Sequence, residues 1–313
     1  MSAPRLEVIT AEQVTAALTM NAAKDALETA LRGGLDPDAG AARNTVPTSA
    51  GHFLLMPWEF DKYCGIKVAT VAPDNPKDGL PRINGSYLLF DAHTLIPVAM
   101  IDGVALTSLR TPALSAVAVD RLADGDAHSL LIFGTGPQAW NHLDAVTSVR
   151  TVDVIVVVAH SQTSARDFVN RYVATRGAAT IRIGSAREVG AADIVVCCTS
   201  SATPLFDGEL LRDNATVVAV GSHEPDRREL DDATMSRSTV VVESRSAAAN
   251  EAGDIVMAKK AGALDMTEVL TLAEVIIAGS GVRRDGPRVF KSVGMSWEDL
   301  VIASAVFERV RGS

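Results

Sequence analysis

Aromatic residues make up only 4% of this chain, so any core has to be packed mainly from Ala, Val, Leu and Ile. Cysteine is equally scarce: the chain has Cys64 and the adjacent Cys197 and Cys198. The pair ends the run Ile194-Val195-Val196-Cys197-Cys198, which reads as a buried strand. Buried thiols in a cytoplasmic protein fit this better than a disulfide or a metal site. The six histidines form no ligand-spaced cluster with the cysteines or with acids, so no metal is expected. Positive charge is in deficit, 29 Lys and Arg against 38 Asp and Glu, for a formal charge of -9. That balance disfavours nucleic acid or an anionic membrane as the main partner. No apolar run approaches a membrane span. Arg5 and Glu7 precede no long apolar segment, so no signal peptide is expected.

Hydrophobic residues, in contrast, reach 47% and charged residues 21% over 313 positions. The chain can bury a real core and is long enough for one large domain or two ordinary ones.

Its most informative stretch is Leu130 to Ala139. Leu130 to Phe133 is an apolar run of the kind found in strands buried on both faces. Gly134, Thr135 and Gly136 follow at once. Beyond them, Gln138 to Val149 carries Ala139, Leu143, Val146 and Val149 at helical spacing. Strand, glycine turn and helix form the context a dinucleotide fingerprint requires. The first glycine permits the turn, the second lets backbone approach a pyrophosphate, and Ala139 fills the third, close-packing position. The N–H groups and dipole of the helix start then suit phosphate. An ordinary strand-to-helix turn that uses glycine is the plain alternative.

Before this stretch the pattern is different. Thr10 to Arg32 reads as one or two helices, with Thr10 and Gln13 spaced as a capping box and Gly33-Gly34 as a stop. Leu35 to Ala50 is loop or edge. Strands are predicted at Phe53–Met56, Cys64–Val71, Gly85–Asp91 and Pro97–Ile101, joined by short turns in a mostly antiparallel sheet. A helix over Leu106–Ala123 is predicted to be capped by Thr107 or Ser108, with Pro112 in its first turn. After Leu130, strands are predicted at Val154–Val158, Thr180–Ile183, Ile194–Cys198, Thr216–Val220 and Val240–Glu243. Helices over Thr163–Thr175, Ala247–Ala261, Met266–Ala278 and Trp297–Val310 complete a doubly wound parallel sheet. Gly279 to Pro287 reads as loop.

Several polar residues stand out against their surroundings. Lys67 lies within the apolar Gly65-Ile66-Lys67-Val68-Ala69, so it either faces solvent or meets an acid or an anionic ligand. Arg110 reads as starting a helix, a poor place for a cation, which favours an anion partner there. Arg43 reads as an ordinary loop arginine. Asp226 follows the end of a strand, where ligands of such sheets bind, although most loop acids are simply solvated.

Taken together, these stretches resemble the ornithine cyclodeaminase/μ-crystallin family. The resemblance rests on Met56-Pro57, Gly65-Ile66-Lys67, Pro73-Asp74-Asn75, Gly79-Leu80-Pro81, Leu106-Thr107 with Arg110-Thr111, and Gly134-Thr135-Gly136 with Gln138. It continues in Val220-Gly221-Ser222 with Pro225-Asp226 and Glu229-Leu230, and in Phe290-Lys291-Ser292-Val293-Gly294. Order and spacing hold from about Arg43 to the C-terminus.

The resemblance implies an α/β protein in which a Rossmann NAD(P)-binding domain, residues 118–291, is inserted into an α+β domain. That second domain, residues 1–117 plus 292–313, would bind substrate and dimerise. Members are NAD(P)-dependent enzymes acting on the Cα–N bond of amino or imino acids. Arg43, Lys67 and Arg110 would hold a substrate carboxylate, and Lys67 and Asp226 would be the proton-transfer pair. Thr111, Gly134, Thr135, Gly136, Gln138, Ala139, Thr199 and Ser292 would touch the cofactor. A non-catalytic nucleotide- or ligand-binding role, as in μ-crystallin, is the competing class. Within the enzymes, a cyclodeaminase competes with a reductase or an alanine-type dehydrogenase. Ornithine-handling members place an acid two residues before the Met-Pro pair, where this chain has Leu54, so a distal ammonium loses its partner.

Cofactor choice is read beyond the second Rossmann strand. Val158-Ala159-His160-Ser161-Gln162 contains no acid to hold a ribose 2′-hydroxyl. A 2′-phosphate is then tolerated, and His160, Ser161 and Arg166 can donate to it. Both cofactors are expected to bind, with NADPH mildly preferred.

Overall fold

The computed structural model describes residues 6–40, 43–177, 179–279 and 281–312. Two compact units are present, one taking the chain up to Leu114 and from Met295 onward, the other Ser115–Gly294. The first begins with β1 (Glu7–Ile9), α1 (Ala11–Ala17) and α2 (Met20–Arg32). Strands β2 (Asn44–Thr48), β3 (Gly51–Phe60), β4 (Tyr63–Val71), β5 (Ile83–Asp91) and β6 (Pro97–Asp102) follow. Helix α3 (Gly103–Leu122) carries the chain into the second unit. There β7 (Ser129–Phe133), α4 (Pro137–Thr147), β8 (Val154–Val158), α5 (Gln162–Thr175), β9 (Thr180–Ile183), β10 (Ile194–Cys197) and β11 (Thr216–Ala219) alternate. They are followed by α6 (Asp232–Arg237), β12 (Thr239–Val242), α7 (Arg245–Glu251), α8 (Gly253–Ala261), β13 (Leu270–Thr271), α9 (Leu272–Ala278) and β14 (Arg288–Lys291). The last helix, α10 (Ser296–Gly312), belongs to the first unit.

The Thr10–Gln13 capping box is present at α1, and Thr19 caps α2 separately, so the N-terminal helical stretch is two helices. The sheet of this unit has the order β1-β6-β5-β4-β3-β2. All its pairs are antiparallel except β1 with β6. β2 is its outer edge, where Pro47 is tolerated because only one neighbour asks for hydrogen bonds. Along β4 the side chains alternate: Gly65, Lys67, Ala69 and Val71 are buried, whereas Ile66, Val68 and Thr70 are half-buried. Helix α10 packs against β3, β4, β5 and α2.

Helix α3 departs from expectation. It starts at Gly103, not at Leu106, and neither Thr107 nor Ser108 caps it. Asp102 does so instead, accepting from the Ala105 N–H at 2.8 Å. The acid ends β6 and the glycine opens the helix. Pro112 therefore sits in the helix interior, and Arg110 lies two turns in rather than at the start.

The second unit is one parallel sheet of order β13-β12-β14-β11-β10-β7-β8-β9. The chain leaves β7 toward β9, then returns to place β10 on the other side of β7. That reversal is the switch point at which such sheets bind ligands. Strands β13 and β14 stand outside the sequence-based assignment. β14 is Arg-Val-Phe-Lys, a run with charged ends that is buried throughout. Arg288 is nevertheless buried because Leu122 O, Asn214 O and the Asp124 carboxylate receive its guanidinium. The helix expected over Ala247–Ala261 is broken at Ala252 into α7 and α8. The one expected over Met266–Ala278 shrinks to α9, whose Thr271 is its N-cap. Among the described residues, no helix is long and apolar enough to cross a membrane.

Candidate active site

In the first unit, strand alternation turns Lys67 inward, where its ammonium donates to Asp299 Oδ2 at 2.6 Å and to Thr107 Oγ1 at 3.5 Å. Thr107 can accept because its own hydroxyl proton goes to Gly103 O. Two turns into α3, Arg110 donates through Nη1 to Glu298 Oε2 at 2.6 Å, and its Nε stands 3.4 Å from Asp299 Oδ1. All four side chains are buried. Both acids come from the first turn of α10, where the helix dipole favours negative charge. Glu298 also reaches back to the Met295 N–H at 2.8 Å, so one carboxylate caps the helix and pairs the arginine. Burial pulls the Lys67 ammonium down to about 8, Asp299 opposes that fall, and Arg110 adds to it. Arg43 lies half-buried just before β2, and Thr111 is buried on α3 beside Arg110.

In the second unit, Gly134 ends β7 with φ +105, and a Cβ there would come within 2.6 Å of Cys198 O. The backbone itself requires this glycine. Gly136 differs. Its φ is -79, and a Cβ on it would meet nothing within 4 Å. It serves as N-cap of α4 without a side-chain cap bond, with Pro137 next. The start of α4 thus leaves its N–H donors to a ligand, and Gln138 Oε1 beside them is buried without a hydrogen-bond partner among the described residues. Ala139 is fully buried in the close-packing position. A dinucleotide pyrophosphate fits this arrangement.

Other residues singled out in the sequence surround the strand ends of this unit. His160 is exposed just past β8, and Ser161 caps α5 by accepting from the Ser164 N–H. Thr199, just past β10, gives both its N–H and its hydroxyl to Glu229 Oε1 at 2.7 Å. Ser292 is buried, its hydroxyl donated to Glu243 at 2.5 Å. Asp226 is exposed on the loop after β11. Within this unit the fold joins the glycine turn to the segment holding Thr199. Within the first it joins Lys67 to Arg110.

A model of the ornithine cyclodeaminase/mu-crystallin family matches residues 5–313. The chain belongs to this family. It is 35% identical over 250 residues to a Delta(1)-pyrroline-2-carboxylate reductase of Bacillus cereus, covering 78% of this chain and 77% of that one. The Thermococcus litoralis Delta(1)-pyrroline-2-carboxylate reductase, solved with NADH and L-proline, superposes with a TM-score of 0.91 at 30% identity, over 98% of both chains. An archaeal alanine dehydrogenase dimer with bound NAD gives a TM-score of 0.91 at 27% identity, over 98% of this chain and 96% of that one.

Several residues of the two clusters escape a reading of family motifs one at a time. Glu298 and Asp299 look like ordinary first-turn acids of a C-terminal helix, and their only signal was the need of Lys67 for a buried acid. Glu229 is likewise more than a motif residue. Its second oxygen accepts from the Gly221 N–H at 2.8 Å, so one carboxylate ties the loop after β10 to the loop after β11. Burial raises its pKa, and Lys291 opposes this. Asp254 in turn accepts from the Glu229 and Leu230 N–H groups, while Lys291 pairs with Asp254 and donates to Ser222 O. The loop carrying Asp226 is therefore pinned from beneath by three buried charges. Among the described residues, no group of three or more His, Cys, Asp or Glu is placed to hold a metal ion.

Proposed function

We propose that this chain is an NAD(P)-dependent reductase of imino acids, able to run as an amino-acid dehydrogenase in reverse. The Ser115–Gly294 unit would be its nucleotide-binding domain and the other unit its substrate and dimerisation domain. The observation that carries this reading is Lys67: a buried ammonium, brought down to about 8, beside a buried guanidinium. Such a group can give up a proton near neutral pH.

Arg110, Lys67 and Arg43 hold the substrate carboxylate, the arginines offering the forked donors that fix its orientation. Gly134, Gly136 and Gln138 at the start of α4 would hold the dinucleotide, whose reduced nicotinamide would supply the hydride for the carbon of the C=N bond. Lys67 and Asp226 handle the proton that the imine nitrogen gains, and take it back in the reverse direction. Leu54 supplies no carboxylate for a second ammonium, which speaks against ornithine. NAD and NADP both serve, with NADPH mildly preferred, because no acid follows β8.

The test is loss of reduced-cofactor absorbance with a cyclic imino acid, or with pyruvate plus ammonia, comparing NADPH with NADH. Lys67→Ala and Asp226→Ala should each lower kcat by roughly a hundredfold or more while cofactor affinity stays near normal. A wild-type rate in either variant removes that residue from the mechanism. A clear NADH preference overturns the cofactor reading.

A further inference from the structure

Asp299 is fully buried on the first turn of α10, against the buried ammonium of Lys67 and the buried guanidinium of Arg110. The inward-facing positions on either side of Lys67 along β4 are small and apolar, Gly65 and Ala69. A buried ion pair is often less stabilising than well-packed apolar residues of the same volume. Four charges here, two of each sign, are a costly way to fill a core. The arrangement is also specific. One carboxylate addresses both cations, Lys67 through Oδ2 at 2.6 Å and Arg110 through Oδ1 at 3.4 Å, and so fixes the spacing between them. Asp299 Oδ1 makes no hydrogen bond among the described residues, and neither does the buried Tyr87 hydroxyl.

We propose that Asp299 is the positioning residue of Lys67, holding its ammonium charged and aimed at the substrate nitrogen. The proposal rests on Lys67 being a proton-transfer residue, as argued above. The charged and titratable groups around Lys67 are Asp299, Arg110 and Glu298, and Tyr87 lies within the field of Asp299. Burial and Arg110 push Lys67 toward its neutral form, and Asp299 is the strongest influence in the other direction. Burial, with Asp299 adding to it, holds Tyr87 well above its usual range, so it stays neutral and offers no substitute charge. Asparagine at position 299 keeps an acceptor for the Lys67 ammonium but removes the charge, which separates orientation from electrostatics.

The experiment is the pH profile of kcat/KM for imine reduction, which reports the free enzyme. In the wild type, activity falls as pH rises through the Lys67 value of about 8. In Asp299→Asn the alkaline limb should move down by about one unit. Activity on the alkaline side is then roughly tenfold below wild type, while the plateau at lower pH stays within a few-fold. Cofactor binding and thermal unfolding check that the variant is folded. An unmoved alkaline limb in folded Asp299→Asn overturns the proposal. Lys67→Met in the same assay keeps the two readings apart: a wild-type rate there sinks the role of Lys67 itself. An inactive Lys67→Met with an unmoved Asp299→Asn limb sinks only the role of Asp299. Should Asp299→Asn not fold, 15N-lysine NMR of the wild type decides. A slowly exchanging ammonium signal that disappears in Lys67→Met is expected, and its absence in the wild type refutes the pairing.

Discussion

His142, on α4, is fully buried, and both its ring nitrogens are engaged. Nδ1 lies 2.7 Å from Gln138 O, and Nε2 lies 2.9 Å from Ser115 Oγ on α3. The neutral tautomer with the proton on Nδ1 satisfies both, because Nε2 then accepts from the serine. Burial brings the imidazole down to about 4. The unfolded chain takes up a proton near 6.5 that the folded chain refuses until about 4. The stability contributed by this residue is therefore complete above pH 6.5 and is lost as pH falls through that window. The loss is about 3 kcal/mol. Thermal unfolding across this range should show the slope in the wild type and not in His142→Asn; parallel curves would refute the assignment. Lys67 and Arg110 teach a related lesson. The apolar company of Lys67 showed that it needed an anion, but not that Asp299, 232 positions away, would supply it. For Arg110 an anion partner was expected for a different reason, because the residue read as a helix start. The partner exists, but it comes from the start of a different helix, α10.

At the scale of elements, the turn between β7 and α4 separates two uses of glycine. Gly134 serves the chain: its φ is +105, and a Cβ would crowd Cys198 O. Gly134→Ala should cost at least about 1–3 kcal/mol and lower the unfolding temperature. Gly136 has no such need, because the protein leaves open space around it and its backbone suits any residue, and we propose that it serves a ligand. Gly136→Val should keep the unfolding temperature and weaken cofactor binding tenfold or more, because a side chain there holds the backbone away from the pyrophosphate. Unchanged affinity by titration would remove the loop from the site. This element was legible because strand, glycines and helix are contiguous and each announces itself locally. β14 was not, because Arg288 and Lys291 become core residues only through carbonyls and carboxylates contributed by distant loops.

At the scale of the molecule, the first unit's sheet has an outward face that remains half-exposed and apolar. Ile66, Val68, Leu88 and Met100 lie on it, and Phe53 and Val46 are exposed nearby. An open, mainly apolar cavity of ≈ 580 Å³ is lined by Pro57, Ile66, Phe90 and Leu95. A sheet of this kind is stable when its second face is covered, and a second copy of the chain is the cover we propose. Light scattering at micromolar concentration should give a dimer, and Ile66→Lys should shift it toward monomer with both units still folded. A wild-type monomer would count against the proposal.

Local pattern alone determined the two contrasting halves, the parallel sheet, the glycine turn between strand and helix, and the oddity of Lys67 in its apolar strand; the other site residues came from the family resemblance. Those features depend on neighbours within a few positions, through strand alternation, helical spacing and turn chemistry. Only the tertiary structure decided which charges meet. The pairs Lys67–Asp299, Arg110–Glu298 and Lys291–Asp254, and the Glu229 clamp on two loops, join residues that no local period relates. A buried charge states in the sequence that it needs a partner, because leaving it alone in a dry interior is too costly. Which partner answers is settled by the folding of the whole chain.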